Sequence, residues 1–545
     1  MSENLTLPNL VKNAVEKYAD SNALCFVNEE PINYKEFGDQ IDALSRMLEK
    51  YEIKQGDKVA ILSASMPNWG LAYFAIASVG AITIPILPDF HADEIKNVLS
   101  HSEAKMIFVS DALYPKLKDV ESELEHIINI EDFSCKKHET TKFELGSKPQ
   151  HTVNVNEDDL ATIIYTSGTT GSSKGVMLSH KNIVTNAIQG SIVQPINNED
   201  RFLSILPLSH TYENTLGLLL PVMNGASVHY LRKPPTPPVL LPALESVKPT
   251  VMLTVPLIIE KIYRNKILKT FNSKFITRNL YKVSPIRKKL NGIAGKKLMK
   301  TFGGELKFYG IGGAKLDREV EKFLIDAKFP YAIGYGLTET SPLIAGVNPQ
   351  TIRLQSTGPA APKVELKIND PDPATGEGEI WAKGPNIMQG YYKDPELTKT
   401  VLTDDGWFKT GDLGNFDKDG YLYIKGRLKN MIVGQSGENI YPEEIESVIN
   451  NFRHVVESVV VQQKGKLVAL VHFNREELEE KFKHMKEDVS HKVHDRMEEL
   501  RNELHDYVNS NVNKFSQVQK VIMHPEPFIK TATMKIKRFL YFKAQ

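Results

Sequence analysis

An alternation of strand-like and helix-like segments in the first part of the chain constrains its fold most. The segments follow in the order strand 58–64, helix 67–80, strand 81–87, helix 92–102 and strand 105–110. Short β-branched runs separated by helices of this length pair in parallel, because each helix carries the chain back to the same end of the sheet. The pattern therefore predicts an α/β fold with a parallel sheet and helices packed on it.

The same alternation recurs after residue 200, and the character of the sequence then changes twice. Short strands and turns occupy 358–425, and a smaller α+β pattern follows. A chain of 545 residues exceeds what one hydrophobic core supports. We therefore predict an N-terminal domain over 1–426, a boundary at 427–429 and a C-terminal α+β domain over 430–545.

Charge and composition exclude several classes of protein. Lys plus Arg equals Asp plus Glu, at 67 each, so no global charge favours nucleic acid as a partner. Cys25 and Cys135 are the only cysteines, which fits a reducing compartment and excludes a cysteine-built zinc site, although one disulfide stays open. The N-terminal residues lack a signal-peptide core, and no apolar run approaches the ~20 residues of a membrane span. We expect a cytoplasmic protein.

A stripe of apolar residues at steps of three and four runs through 475–508, as on one face of a long helix. Its members are Leu478, Phe482, Met485, Val489, Val493, Met497, Leu500, Leu504 and Val508. A helix packed on its own domain is the simpler interpretation. A coiled coil that forms a homodimer is the alternative.

Residues 261–300 form a basic segment that contains thirteen basic residues and no acidic one. The basic residues are Lys261, Arg264, Lys266, Lys269, Lys274, Arg278, Lys282, Arg287, Lys288, Lys289, Lys296, Lys297 and Lys300. Apolar residues lie between them, as in helices that bind anionic headgroups by charge and shallow burial. A solvated basic face is one interpretation, and contact with an anionic membrane surface or a polyphosphate is the other.

The stretch "YTSGTTGSSKG" at 165–175 has the composition of a phosphate-binding loop. The Walker pattern would require Gly and then Ser or Thr at the positions held by Ser173 and Gly175. Glycines allow the backbone N–H groups to converge on an anion, hydroxyl side chains add donors, and Lys174 adds a positive charge. The loop therefore predicts a phosphate site, but its departure from the pattern disfavours a Walker-type ATPase.

This loop and six further motifs resemble those of the adenylate-forming superfamily of acyl-CoA synthetases, luciferases and peptide synthetase adenylation domains. The six are "LPLSHTYE" (206–213), "GGAKL" (312–316), "YGLTETSP" (335–342), "GWFKTGDLG" (406–414), "GRLKN" (426–430) and "GENIYPEEIE" (437–446). They occur in the family's order and extend from about residue 10 to 541. The C-terminal "TATMKIKR" is most similar to the long-chain fatty acyl-CoA synthetases.

The resemblance implies a fold and a reaction. The fold would be a large N-terminal domain of α/β sheets with a small β-barrel-like part, followed by a mobile α+β C-terminal domain. In the reaction, a carboxylate attacks the α-phosphate of ATP to give an acyl-adenylate and pyrophosphate. The thiol of coenzyme A then displaces AMP. No side chain has to act as a nucleophile in the first step, so the site must position two anions and neutralise charge.

The resemblance also assigns residues to the phosphates, the metal and the acid. The β- and γ-phosphates would contact Thr166, Ser167, Gly168, Thr169, Thr170 and Lys174. Thr338 would contact the α-phosphate, and Mg²⁺ would bind Glu339 and Thr166. His210 would lie near the carboxylate and the metal.

Further residues are assigned to the nucleoside, to coenzyme A and to the hinge. Gly312, Gly313 and Ala314 would lie along the adenine and the acyl chain, and Tyr335, followed by Gly336, would stack on the base. Asp412 would accept from the ribose hydroxyls, and Arg427 would contact ribose and phosphate. Gly437 would line the pantetheine tunnel, and Lys429 would act as the hinge. Lys535 is the expected catalytic lysine of adenylation, with Lys537 as the alternative because Met534 replaces a glycine of the family.

The acid itself is the least constrained part. The segment 247–267 and the basic segment resemble the long-chain branch, which implies a medium- to long-chain fatty acid. An enzyme that loads an acyl carrier protein and a ligase for another carboxylic acid stay open. So does a non-catalytic nucleotide- or lipid-binding module, but Lys174, Glu339, Asp412 and Arg427 argue against it.

Overall fold

The computed structural model describes residues 4–137, 143–167, 173–273, 275–434, 438–475, 479, 489–531 and 535–542, without the side chains of 167 and 489–495.

One large sheet contains eight strands and is parallel except at its two edges. In spatial order the strands are Leu343–Gly346, Tyr331–Gly336, Phe308–Ile311, Val251–Thr254, Arg201–Ser204, Ser227–Tyr230, Asn22–Phe26 and Ile32–Asn33. The parallel strands end at the same edge, so the loops that follow them meet there. This edge carries the candidate site, as is usual in open α/β sheets.

A second sheet contains seven strands and includes the alternation that the sequence predicted. In spatial order they are Gly390–Tyr391, Ser173–Ser179, Leu160–Ser167, Ile82–Ile86, Lys58–Leu62, Met106–Val109 and His126–Asn129. The last five pair in parallel, and the three of them that the alternation predicted are Ile82–Ile86, Lys58–Leu62 and Met106–Val109. The hairpin formed by Leu160–Ser167 and Ser173–Ser179 carries the two arms of the predicted phosphate loop.

The two large sheets share one hydrophobic core. The helix Pro67–Ser78 is apolar all round, and Trp69, Tyr73 and Phe74 are fully buried in it. A helix without a polar face requires cover on every side. The cluster around it includes Val59 from the seven-stranded sheet and Val228 from the eight-stranded one.

The α-helices are short on average and several begin with proline at their first turn. Their bounds are Leu7–Tyr18, Tyr34–Lys50, Pro67–Ser78, Ala92–Ser102, His180–Val193, Thr211–Glu213, Leu220–Asn224, Pro237–Val247, Pro256–Ile262, Lys269–Asn272, Phe275–Tyr281, Ser284–Thr301, Arg318–Asp326, Pro395–Val401, Pro442–Asn450 and Val489–Asn511. Two π-helical segments, Asn214–Leu219 and Tyr263–Leu268, continue helices of this set. Short 3₁₀ turns are Tyr114–Leu117, Glu121–Glu123, Thr338–Thr340, Leu428–Asn430, Lys514–Ser516 and Arg538–Leu540.

The β-rich part is a sheet of four antiparallel strands, in the order Glu365–Asn369, Gly378–Lys383, Phe408–Phe416 and Leu422–Arg427. The first and last strands do not pair with each other within the described residues. The expectation of a barrel-like part was therefore wrong in this detail, because the strands form an open sheet. The antiparallel register sets Asp412 opposite Arg427.

Residues after 430 form their own core. A three-stranded sheet combines Val455–Gln463, Lys466–Phe473 and Lys520–Met523, and a two-stranded one pairs Ile432–Val433 with Asn439–Ile440. The helices Pro442–Asn450 and Val489–Asn511 pack on the larger sheet. This agrees with the predicted α+β pattern, and the boundary at 427–429 stays a prediction.

The apolar stripe of the long helix packs inward where the structure describes it. Leu500, Leu504 and Val508 are buried, and Met497 contacts the same cluster. Leu478, Phe482 and Met485 lie outside the described residues, and the side chains of Val489 and Val493 are not described. The described half of the stripe therefore fits the simpler interpretation, a helix packed on its own domain.

The structure also bears on the possible disulfide and on membrane-spanning helices. Cys25 and Cys135 form no disulfide in the described part of the chain. Within the same residues, the structure contains no helix with the length and hydropathy that crossing a bilayer requires.

Candidate active site

The site residues follow the carboxyl ends of neighbouring parallel strands. Gly312 follows Phe308–Ile311, and Thr338 begins a 3₁₀ turn just after Tyr331–Gly336. His210 lies six residues beyond Arg201–Ser204 and begins a helix. Residues that are far apart in sequence therefore meet at one edge of the sheet.

Asp412 lies at the centre of a buried polar cluster. Its Oδ2 accepts a hydrogen bond from the Tyr335 hydroxyl at 2.7 Å, and its Oδ1 lies 2.8 Å from the Arg427 Nε. Burial raises the pKa of Asp412, although Arg427 and Tyr335 act in the opposite direction. The carboxylate retains lone pairs that can accept from ribose hydroxyls, so its geometry suits the expected role.

Glu339 is held beside Lys174 by a tyrosine that sequence reasoning missed. The Tyr391 hydroxyl donates to the Glu339 Oε1 at 3.0 Å, and the Glu339 carbonyl accepts from the Met388 N–H at 2.9 Å. The Lys174 Nζ lies 5.3 Å from the centroid of the Tyr391 ring, within cation–π range. Tyr391 therefore joins the predicted phosphate lysine to the predicted metal ligand.

The arms of the phosphate loop are described, whereas its tip is not. Thr166 pairs with Lys174 across the hairpin, and both side chains are half-buried. Gly168, Thr169 and Thr170 lie outside the described residues, as does the side chain of Ser167. The predicted contacts with the β- and γ-phosphates are therefore testable only in part from geometry.

Packing explains the glycine that breaks the Walker pattern. A Cβ atom at Gly175 would come within 2.9 Å of the Ile163 Cγ2 and 3.2 Å of the Tyr392 Cβ. Strand Gly390–Tyr391 pairs with this arm of the hairpin at Val176 and Met177. The position thus serves close packing against the strand that brings Tyr391 into the site.

Lys535 reaches the cluster from the C-terminal part of the chain. Lys535 is exposed, yet its ammonium group is partly desolvated by the protein. This desolvation lowers the pKa of Lys535, and the positive charge of Arg427 lowers it further, while Asp412 and Glu339 raise it. The same lysine acts electrostatically on His210. The structure thus brings Lys535 together with four predicted site residues.

His210 is a neutral imidazole at the base of the cleft. Burial lowers the pKa of His210 to about 4, and the charge of Lys535 acts in the same direction. Its Nδ1 lies 3.3 Å from the Tyr212 backbone N–H, which donates to it. The proton of the neutral ring is therefore on Nε2, where it can donate to an oxygen of the substrate.

Glu213, near His210, is a second residue after Tyr391 that the sequence did not predict as part of the site. It is 2% exposed, and its Oε1 accepts from the Ser204 hydroxyl at 2.5 Å. Burial raises the pKa of Glu213 to about 8, against the effect of that hydrogen bond. The carboxyl group is therefore protonated at neutral pH. A carboxyl within "LSHTYE", three residues after His210, was the available signal.

Small residues line the expected nucleoside surface. A Cβ atom at Gly312 would come within 3.1 Å of the Tyr212 ring, and Gly313 has a φ of +81°. Gly313 and Ala314 are exposed to the cleft. A side chain at Gly336 would meet the Pro342 carbonyl oxygen at 1.9 Å. The missing side chains at Gly312 and Gly336 therefore serve packing within the protein, whereas Gly313 and Ala314 leave an exposed surface without bulk.

Thr338 lies beside this cluster, whereas the structure does not place Lys429 or Gly437 in it. Thr338 is half-buried in the 3₁₀ turn Thr338–Thr340, next to Glu339. Lys429 is exposed in the 3₁₀ turn Leu428–Asn430. Gly437 lies outside the described residues, so its proposed contact with pantetheine stays a prediction.

The donors present suit a magnesium ion that is bound largely through its substrate. Glu339 offers a carboxylate, and the described residues contain no cluster of three or more His, Cys, Asp or Glu that would form an all-protein cage. Mg²⁺ is commonly held by one or two protein oxygens, with phosphates and water completing the shell. The site therefore fits this ion with Glu339, and Thr166 stays the second predicted ligand.

Comparison with known proteins relates this site to a large enzyme family. The sequence pattern of the AMP-binding enzyme family matches residues 11–392. The peroxisomal long chain acyl-CoA synthetase 6 of Arabidopsis thaliana is 31% identical over 454 residues, covering 76% of this chain. The match spans 64% of that relative's own length. The 4-coumarate–CoA ligase 1 of Petroselinum crispum is 31% identical over 446 residues, covering 77% of this chain and 76% of its own.

Solved structures share the fold at lower identity. The ATP-bound MatB from Rhodopseudomonas palustris superimposes with a TM-score of 0.77 at 23% identity and covers 98% of this chain and 99% of its own. Similarity at this identity concerns the fold alone.

Proposed function

The chain belongs to the AMP-binding enzyme family, and we propose that this member is an AMP-forming acid–CoA ligase which activates a medium- to long-chain fatty acid. The convergence of Asp412, Arg427, Glu339 and Lys535 at one sheet edge carries the proposal. Such a set can hold a nucleotide and two anions in one cleft. ATP, Mg²⁺ and coenzyme A are the implied co-substrates and ion.

In the proposed first step, the chain's residues position charges for attack on the α-phosphate. Asp412 accepts from the ribose, and Lys174 follows the departing pyrophosphate. His210 donates from Nε2 to an oxygen of the acid, and Lys535 neutralises charge that develops between carboxylate and phosphate. Glu339 and Thr166 would hold Mg²⁺, which would neutralise phosphate charge when bound. In the second step, the thiol of coenzyme A displaces AMP from the acyl-adenylate.

Lys535 rather than Lys537 is proposed as the catalytic lysine. Lys535 interacts electrostatically with Asp412, Glu339 and Arg427, which supports this choice. We expect Lys535→Ala to abolish ATP–pyrophosphate exchange while thioester formation from supplied acyl-adenylate continues. The matched control is Lys537→Ala. Equal loss of both half-reactions in Lys535→Ala, or loss of exchange only in Lys537→Ala, would contradict the assignment.

The fatty acid is proposed from two supports. A long chain acyl-CoA synthetase is among the relatives at 31% identity. The sequence of 247–267 and of the basic segment, which resembles the long-chain branch, is the second support. The similarity to a 4-coumarate–CoA ligase keeps other carboxylic acids as the alternative.

The acid can be identified by ATP–pyrophosphate exchange over a panel from acetate to stearate, with benzoate and 4-coumarate. We expect kcat/KM for exchange to rise with chain length and to peak among the medium- to long-chain acids, and AMP to be the nucleotide product once coenzyme A is added. A maximum at acetate or at an aromatic acid would overturn the fatty-acid proposal. ADP as product would overturn adenylation itself.

The acyl acceptor is proposed to be coenzyme A. An acyl carrier protein is the second candidate, which the sequence alone leaves open. Thioester formation should be measured with each acceptor at equal concentration. Product formed on the carrier protein but not on coenzyme A would replace the proposal with acyl transfer to a carrier protein.

The homodimer predicted as an alternative for the long apolar helix stays a prediction, and light scattering would detect it.

We also propose that the helix Phe275–Tyr281 rests on an anionic lipid surface. Phe275 and Ile276 are 71% and 70% exposed, and Leu280 and Val283 are also exposed. On the opposite side, the Tyr281 hydroxyl donates to the Asn291 Oδ1 at 2.9 Å, which fixes the helix on the protein. An apolar face that points outward is costly in water but stable at a lipid interface.

The charges of the basic segment suit the same partner. Exposed cations flank or follow the apolar face, namely Arg278, Lys282, Lys288, Lys289, Lys296, Lys297 and Lys300. Residues 261–300 contain no acidic residue to offset them. A fatty acid partitions into lipid, so an enzyme at the bilayer would meet its substrate where it is concentrated.

Vesicle sedimentation tests the lipid surface. We expect binding to vesicles that contain phosphatidylserine, a loss of about tenfold or more in the double variant Phe275→Ser/Ile276→Ser, and no loss in Phe515→Ser, which alters an exposed phenylalanine elsewhere. Equal binding of parent and double variant would overturn the proposal, as would binding to soluble polyphosphate with the same affinity as to vesicles.

A further inference from the structure

The helix Pro442–Asn450 is attached at its C-terminal end to the part of the chain before residue 430. The Arg264 Nη1 donates to the Asn450 carbonyl oxygen at 2.7 Å, and the Nη2 donates to the Asn451 Oδ1 at 3.1 Å. The last carbonyls of a helix have no partner within the helix, and a cation at this end is favourable. Arg264 therefore satisfies a helix terminus that belongs to the other half of the molecule.

Asp317 adds a second attachment beside Arg264. Its Oδ1 caps the helix Arg318–Asp326 by accepting from the backbone N–H groups of that helix's first turn, and its Oδ2 accepts from the Asn451 Nδ2. Asp317 is only 4% exposed, and its own N–H donates to the Glu260 Oε1 at 3.0 Å. One carboxylate is thus fixed on the large domain and bonded to the small one. We call Arg264, Asp317, Asn451 and the Asn450 carbonyl the polar clamp.

The same helix is tied to the segment that carries Lys535. The Arg538 Nη1 donates to the Glu446 Oε1 at 2.7 Å, and the other guanidinium nitrogen pairs with the second carboxylate oxygen. Glu446 lies on the helix Pro442–Asn450 and is buried. Arg538 follows Lys535 by three residues. A continuous series of contacts therefore runs from Arg264 through the helix to Lys535.

We propose that Arg264 and Asp317 are positioning residues that hold Lys535 in the active site. The clamp lies close to the site on the large domain, because Asp317 follows Ala314 by three residues. Between them, the Lys315 Nζ lies 3.5 Å from the Glu444 Oε1, a further contact with the same helix. Loss of the clamp frees the helix and withdraws Lys535 from the cleft. This inference rests on the adenylation role proposed for Lys535.

The test compares the two half-reactions in Arg264→Ala. We expect ATP–pyrophosphate exchange to fall about tenfold or more, because a hydrogen-bonded charge is removed from the clamp. Thioester formation from supplied acyl-adenylate is expected to stay within about twofold, since it does not use Lys535. Arg264→Lys retains the cation and should recover part of the exchange rate. Lys261→Ala, an exposed lysine on the preceding helical turn, is the matched control and should leave both rates unchanged.

A second variant guards against a general loss of structure. Asn451→Ala removes the contacts of this side chain with both Arg264 and Asp317 and should lower exchange in the same selective way. If Arg264→Ala and Asn451→Ala both leave exchange unchanged while Lys535→Ala abolishes it, the clamp does not position Lys535 and the inference is overturned. Equal loss of both half-reactions in the clamp variants would overturn it too. If Lys535→Ala itself keeps full exchange, the role of Lys535 fails instead, which separates the two proposals.

Discussion

Single side chains in this site owe their chemistry to their surroundings more than to their identity. His210 is neutral because burial opposes its charge, and Glu213 is protonated for the same reason. Lys535 and Asp412 sit in one cluster, and each pulls the pKa of the other toward its ordinary value. A residue's position along the chain reveals none of this, since burial is a property of the folded molecule.

Glu213 provides a pH-dependent prediction. The pKa of this carboxyl group rises from 4.5 to about 8 on folding, so its contribution to stability is fully present below pH 4.5 and is lost as pH rises towards 8. The slope is at most about 1.4 kcal/mol per pH unit. Glu213→Gln does not titrate and keeps an oxygen that can accept from Ser204. Its stability relative to the parent should therefore increase with pH.

Chemical denaturation at several pH values measures this difference. Glu396→Gln, at an exposed position of a surface helix, is the control for the removal of a carboxyl group elsewhere in the molecule. Parallel stability curves for the parent and Glu213→Gln would show that the carboxyl group does not stay protonated in the folded protein.

At the level of strands and turns, much of the site follows from local sequence. The strand–helix alternation predicted the parallel sheet, and motif order predicted that Asp412, Arg427, Tyr335 and Glu339 serve one ligand. Antiparallel pairing of Phe408–Phe416 with Leu422–Arg427 then sets Asp412 opposite Arg427. Tyr391 escaped prediction because its strand is two residues long and its contact with Glu339 spans 52 positions.

The pairing of those two strands leads to a prediction about ATP binding. Asp412→Asn removes the negative charge between the Tyr335 hydroxyl and the Arg427 Nε and weakens acceptance from the ribose. We expect the KM for ATP to rise about tenfold or more, because hydrogen bonds to a charged group are lost. Steady-state kinetics with saturating acid measures it.

A matched control lies just beyond the end of the same strand. Asp417 follows Phe408–Phe416 and lies 2.6 Å from the Arg353 Nη1, in an ion pair outside the site. Asp417→Asn should leave the KM for ATP unchanged. A similar rise in both variants would point to a loss of sheet structure and not of a ligand contact.

The molecule as a whole assembles its site from two parts of the chain. The sequence alone could not tell which charges of the basic segment face solvent. Arg264 is one of its thirteen basic residues, but in the structure it binds the C-terminal end of the helix Pro442–Asn450. The expected barrel became an open sheet for a similar reason, since closure depends on pairing between distant strands. Long-range contacts decide both cases.

The connection between the two parts gives a prediction about the hinge. Lys429 is exposed between Leu422–Arg427 and Ile432–Val433, where a change of backbone angles would turn the C-terminal part. Lys429→Pro restricts the backbone at this residue and the one before it. We expect thioester formation to fall about tenfold or more, with ATP–pyrophosphate exchange largely retained.

Lys429→Ala serves as its control and should preserve both half-reactions, because the side chain is exposed and alanine leaves the backbone free. Separate assays of exchange and of acyl transfer from supplied acyl-adenylate distinguish the outcomes. If Lys429→Pro impairs exchange as much as acyl transfer, the residue is structural and the hinge lies elsewhere.

The polar clamp also determines how easily the C-terminal part of the chain can separate from the rest of the active site. Its contacts are directional, and each hydrogen bond to a charged group contributes only about 1.5–3 kcal/mol net, because the separated groups regain bonds to solvent. Apolar surfaces of similar area would separate less readily, because separation would expose them to water. Polar contacts of this kind can separate without exposing apolar surface, so the clamp that positions Lys535 can also release it.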